Sequence, residues 1–215
     1  MMGDRDYRSL IKNALDSIGT ELEVKIDAKD ISTIHINEVN KCLRRSYYDR
    51  KDPKPIERSG FNELLTGLLR KLHYGAEPKV FEVDGIKLKA QADMIVDDVI
   101  LIFRSATSQP KQPFANDLLY LNACMWIYDK FDGLIIYITG DRQEVSFSLT
   151  RNKTMFEQVV RRMRVLNNLL KEEKTPILEP SEDCSNCQYY QRCFVKKQMG
   201  RSVSLSELVG LKKED

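Results

Sequence analysis

The stretch KVFEVDGIKLKAQADMIVDDVILIFRSAT, residues 79–107, decides the fold. Within it the apolar positions recur every second residue, the period of a strand whose side chains alternate between two faces. Residues 80–83 and 86–92 flank Asp84-Gly85. That dipeptide tolerates positive φ at both positions and so favours a two-residue hairpin. Residues 92–96 read as a further strand, closed by a turn at Asp97-Asp98, and 99–104 is a β-branched run suited to the middle of a sheet.

Outward from this block the period becomes helical. Residues 4–18 repeat with Leu10, Ile11, Leu15 and Ile18 on one face, and 60–74 with Leu64, Leu65, Leu68, Leu69 and Leu72. Between them a helix runs from Asn37 through Cys42 and is ended by Pro53 and Pro55. After the strands come a loop with Pro110 and Pro113, a helix over 114–130, strands over 133–140 and 144–150, and a long helix over 153–174. The last turns Met155, Val159, Met163, Leu166 and Leu170 inward and leaves Arg161, Arg162 and Arg164 to solvent. Trp126 and Cys124 lie in an apolar run and read as core. The order predicts one α/β domain over 1–215 with a mixed central sheet flanked by helices. Its parts are a helical section over 1–75, a sheet core over 78–150, and a helix with a cysteine segment over 153–200.

Composition narrows the function. The 215 residues are 42% hydrophobic and 31% charged, enough apolar material for a core and too much for intrinsic disorder. No apolar run approaches the roughly 18 residues of a membrane span. The first ten residues carry Asp4, Arg5 and Arg8 without an apolar h-region, so a cytoplasmic protein is expected. With a net charge of only +2, affinity for nucleic acid must come from a local patch. Lys41, Arg44, Arg45 and Arg50, interleaved with Tyr47 and Tyr48, form the candidate: cations neutralise phosphates and tyrosines stack on unpaired bases.

Five cysteines carry the strongest signal: Cys42, Cys124, Cys184, Cys187 and Cys193. The last three form C-x2-C-x5-C, and an odd count argues against a disulfide framework. Two thiolates two residues apart suit one metal centre, which needs a fourth ligand; Cys42 is the candidate and Cys124 its competitor. Zinc and an iron–sulfur cluster both accept four thiolates, and spacing does not choose between them.

A cysteine in an early basic helix, a central strand-turn-strand, a helix, a strand and a late C-x2-C-x5-C together resemble the iron–sulfur RecB-like nucleases of the PD-(D/E)XK superfamily, the CRISPR-associated exonucleases above all. The resemblance covers residues 31–200. It implies a [4Fe–4S] cluster on Cys42, Cys184, Cys187 and Cys193, with zinc as the alternative. It also implies an Asp on one strand and Glu-x-Lys on the next, holding Mg²⁺ or Mn²⁺, with an upstream His and a downstream Gln-x3-Tyr. Asp93 matches the Asp and His73 stands near the His position. The second motif departs, since Ile102 and Arg104 stand where Glu and Lys belong, and Tyr120 and Cys124 stand where Gln-x3-Tyr belongs. Ile102 cannot ligate a metal, and Arg104 cannot act as a lysine-like base. Glu82, Asp97 and Asp98 are the carboxylates available as a displaced ligand.

Three functions follow. The first is a catalytically inactive DNA-binding adaptor or subunit in DNA processing (CRISPR adaptation, repair or replication). The second is a Mg²⁺- or Mn²⁺-dependent exonuclease on single-stranded DNA with a rearranged centre. The third is a metal-bearing protein-interaction module. Single-stranded DNA and other DNA-processing proteins are the expected partners, and no membrane is.

Overall fold

The structure, a computed structural model, describes residues 26–53, 74–139 and 143–194. The helix expected over 4–18, and that over 60–74 apart from Tyr74, lie outside the described residues, as does His73. The chain divides into two compact units, Met1–Glu179 and Pro180–Asp215.

The first unit opens with β1 (Thr33–His35), α1 (Ile36–Val39) and α2 (Leu43–Lys51). The strands β2 (Lys79–Val83) and β3 (Ile86–Ala90) follow. Asp84 and Gly85 between them take φ of 54° and 72°, the left-handed pair that matches the twist of a hairpin. β3 pairs antiparallel with β2 and parallel with β1, making a mixed three-stranded sheet. A second mixed sheet holds β4 (Met94–Val96), β5 (Val99–Ala106), β6 (Asp132–Thr139) and β7 (Glu144–Thr150), in that order. β5 and β6 run parallel, joined through α3 (Ala115–Tyr128), and α4 (Lys153–Lys171) closes the unit.

α3 covers the face of the second sheet that carries Ile100, Ile102, Ile135 and Tyr137, all buried. The approach is close at Gly133, where a Cβ would stand 2.7 Å from Leu121, so the strand needs glycine there. α4 starts at Asn152, whose side chain accepts the Met155 N–H as an N-cap. Its Phe156, Val159, Met163, Leu166 and Leu170 are buried, and Phe156 packs edge-on to Phe81 and flat on Trp126. Met155 is only half-buried, so Phe156 takes the core place expected of it.

Two expectations are corrected, and β1 is a strand that the sequence did not announce. There are two mixed sheets where one was expected, because the chain leaves the first after Ala90 and enters the second at Met94. β1 is too short, at three residues, to show a period. Cys42 does not lie inside a helix: it is the N-cap of α2, in a non-helical conformation at φ −54° and ψ 119°. The break arises because the Arg162 guanidinium takes the Val39 and Lys41 carbonyls at 2.6 Å each.

Candidate functional site

Asp93 lies one residue before β4. The register Met94↔Leu101, continued by one step, sets it opposite Ile102. Its carboxylate is buried, and Oδ2 accepts the Phe103 N–H at 2.8 Å and Arg104 Nη1 at 3.2 Å. Ile102 is fully buried and pairs with Ile135 of β6, so the position opposite Asp93 offers packing and no oxygen. Arg104, two residues on and on the same face, sits beside Tyr137 of β6.

Asp117 completes the group from the first turn of α3, where the helix dipole favours an anion. Its Oδ1 accepts Arg104 Nε at 2.9 Å and its Oδ2 accepts the Tyr137 hydroxyl at 2.7 Å. The Tyr137 oxygen in turn accepts the Phe114 N–H at 3.0 Å, satisfying a donor at the helix start that no side-chain cap reaches. One turn later Tyr120 lies with its ring centre 4.8 Å from the Arg104 guanidinium carbon and donates its hydroxyl to the Gln91 carbonyl at 2.6 Å. The guanidinium is thus bracketed by two carboxylates and an aromatic face. Burial works against its charge, but Asp93, Tyr120 and Asp117 hold its pKa above the ordinary arginine value. Burial pushes the Tyr137 hydroxyl up, and donation to Asp117 adds to this. Cys124, fully buried nearby, has its thiol held neutral by burial first and by the Asp93 charge second.

The structure brings Asp93 and Arg104 together, with Asp117 and Tyr137, which the sequence reading did not single out. Asp117 reads in the sequence as an ordinary first-turn acid, and Tyr137 as one apolar position of a buried strand. The displaced-ligand candidates stand elsewhere: Asp97 is a turn residue at φ 51°, and Asp98 pairs with Lys130.

The basic segment does not form the surface that its sequence suggests. Tyr47 and Tyr48 are buried and pack edge to face, with ring centres 5.9 Å apart. Arg50 is buried too, in a two-pronged pair with Glu38, at 2.5 Å from Nε and 2.7 Å from Nη2. Its remaining donors reach the Asp30 and Thr33 carbonyls, both at 2.7 Å. These three side chains are committed to the interior, because the helix turns them under β1. Lys41, Arg44 and Arg45 are half-buried: Lys41 and Arg45 lie 3.2 and 4.0 Å from Asp49, and Arg44 donates to the Pro176 carbonyl.

None of the five cysteines is in a disulfide; Cys124 is buried and the other four are half-buried. In the second unit a 3-10 turn, Glu182–Asn186, is followed by α5 (Tyr190–Phe194). The Cys187 N–H donates to the Cys184 carbonyl at 3.1 Å, closing a turn in which positions three apart lie one above the other. The Ser181 N–H donates to Cys184 Sγ at 3.3 Å, and the Cys193 N–H continues the helical pattern to the Tyr189 carbonyl. Among the described residues no group of three or more His, Cys, Asp or Glu side chains is gathered as a metal site. No described helix is long and apolar enough to cross a membrane.

No protein-family model and no curated protein matches the chain. Among solved structures, that of SSO0001 aligns over 87% of this chain and 97% of its own, with 17% identity and a TM-score of 0.60. The alkaline exonuclease LHK-Exo of Laribacter hongkongensis aligns over 68% of this chain and 92% of its own, with 10% identity and a TM-score of 0.45. A phage-related exonuclease of Haemophilus somnus 129PT aligns over 73% and 100%, with 10% identity and a TM-score of 0.43. The likeness to SSO0001 is one of fold; the two exonucleases are too remote to carry an argument.

Proposed function

We propose that this chain is a RecB-like nuclease scaffold that holds DNA without cutting it, as a subunit or adaptor in DNA processing such as CRISPR adaptation, repair or replication. The observation that carries the reading is the Arg104 guanidinium between Asp93 and Asp117. A divalent cation does not fit these residues as they stand. It needs several hard oxygen ligands, whereas here both carboxylates already face a fixed cation and Ile102 supplies no oxygen. Arg104 also stays charged at any working pH and cannot relay a proton. The choice of DNA, single-stranded by preference, rests on the sequence resemblance.

The same reading includes an iron–sulfur cluster on Cys42, Cys184, Cys187 and Cys193, with zinc as the alternative. The donor set fits. Four thiols retain solvent access, two of them flank one tight turn, and a backbone N–H already donates to a sulfur, as cluster ligands require. Such a cluster supplies fold stability by tying distant segments together.

The test is incubation of labelled single- and double-stranded DNA with Mg²⁺ or Mn²⁺, beside Asp93→Ala. No cleavage and salt-dependent binding are expected. Cleavage that disappears in the variant would replace this reading with that of an active enzyme.

A further inference from the structure

We infer that a shallow pocket between β1, β3 and α3 is a binding site for a phosphate group, held by Lys89 and His35 and either free or carried in a nucleic-acid backbone. Phosphate binding there does not depend on the reading of the chain as a holder of DNA.

β1 and β3 run parallel in a register that sets Ile34 against Leu88 and His35 against Lys89. Side chains alternate along a strand. Ile34 and Leu88 therefore turn to the core, where both are fully buried, and His35 and Lys89 share the opposite face. There they line the pocket with Asn37 of α1, Gln91 just beyond β3 and Tyr120 of α3. Each of these side chains carries an N–H or O–H donor, and none of the described lining residues is acidic. Two of the five are already engaged: the Tyr120 hydroxyl donates to the Gln91 carbonyl at 2.6 Å, and the Gln91 amide to the Ala76 carbonyl at 3.4 Å. Lys89, His35 and Asn37 are left to face a ligand.

The half-buried Lys89 ammonium has no hydrogen bond or ion pair among the described residues. A cation partly withdrawn from water gains from an anion beside it. The neighbouring carboxylates serve other groups. Glu38 holds Arg50 and accepts the His35 backbone N–H at 2.8 Å. Asp30 accepts the Ser32 and Thr33 N–H groups and the Ser32 hydroxyl. Like charges abreast on paired strands repel, and an anion between Lys89 and His35 removes that repulsion.

The pocket is also sensitive to pH. Burial lowers the His35 pKa most; Lys89 of β3 and Arg50 of α2 add to this, while Glu38 of α1 and Asp30 before β1 oppose it. A bound anion favours the imidazolium and raises that pKa, so by reciprocity it binds more tightly as the pH falls. Tyr120 links the pocket to the centre described above, since its ring also lies against the Arg104 guanidinium.

The test follows the His35 imidazole protons of the full chain by proton NMR across pH. The chain has two histidines, and His35→Gln identifies the signal. Inorganic phosphate, oligothymidylate, and sodium chloride at matched ionic strength are added to wild type, Lys89→Met, Lys89→Arg and Lys87→Met. Lys87, exposed on the same strand face, is the control for unspecific attraction. Phosphate or the oligonucleotide is expected to raise the His35 midpoint, and chloride is not. Lys89→Met should weaken binding about 10-fold, whereas Lys89→Arg and Lys87→Met should change it by less than about 2-fold. A response to inorganic phosphate assigns the free group, and a response to the oligonucleotide alone assigns the backbone. A His35 midpoint that neither moves overturns the site, as does equal weakening by Lys87→Met and Lys89→Met. DNA that binds while the His35 midpoint stays fixed overturns the pocket as its seat and leaves the DNA-holding reading intact.

Discussion

Two arginines of this chain are locked by carboxylates, and they teach opposite lessons. Arg50 and Glu38 are each 2% exposed, a single cation matched to a single anion, with backbone carbonyls taking the spare donors. Arg104 keeps 22% exposure and faces two carboxylates, Asp93 and Asp117. The Arg50 pair is neutral and sealed, as a group that only holds the fold must be. The Arg104 group is partly open, and it stands at the position where the resemblance puts a metal ion.

The largest effect separating the two is expected from Arg50→Met. It strands the Glu38 carboxylate in the interior and should lower the unfolding free energy by about 3–5 kcal/mol in urea titration. A loss as small as that of a surface pair would show that the burial is not maintained in solution. Arg104→Met should cost less, about 1.5–3 kcal/mol, because the Arg104 side chain keeps 22% exposure, against 2% for Arg50. The comparison sharpens with Ile102→Glu combined with Arg104→Lys. This pair restores a carboxylate opposite Asp93, and its melting temperature should rise with added Mn²⁺ while that of wild type does not. A double variant indifferent to Mn²⁺ would mean that the strand is wrongly matched to the motif. Tyr137→Phe removes one link between Asp117 and the start of α3 and should cost about 1 kcal/mol in the same titration.

The smallest effect is a pH dependence near Arg50. His35 is buried at the β1–α1 junction, and burial holds its pKa below the ordinary value, with the Glu38 charge opposing. The unfolded chain therefore binds the extra proton first. Stability should fall as the pH drops below about 6.5, by an amount that His35→Gln removes. Urea midpoints at neutral and mildly acid pH, compared between wild type and the variant, check the sign.

Local chemistry made much of this readable. The Asp84-Gly85 hairpin, strands β5 to β7 and the inward stripe of α4 all came from spacing, and Asp93 with Arg104 came from the resemblance. The errors share one cause. Arg50, Tyr47 and Tyr48 looked like a nucleic-acid surface because charge and aromaticity alternate along the segment, while the cover that buries them is Glu38 and β1. Arg162 looked like the wet face of its helix. A signal was present: it stands three residues after buried Val159 and four before buried Leu166, on the flank of the apolar stripe.

The sequence by itself determined the mixed α/β character, the turn positions and the C-x2-C-x5-C segment, because periods and turn residues act over a few neighbours. Only the tertiary structure decided which carboxylate each arginine answers. Asp117 meets Arg104 across 13 residues and Arg162 meets the Lys41 carbonyl across 121. Such partners are chosen by how the helices pack on the sheets: a charged group taken from water must find a counterpart where the chain brings one, whatever its distance in sequence.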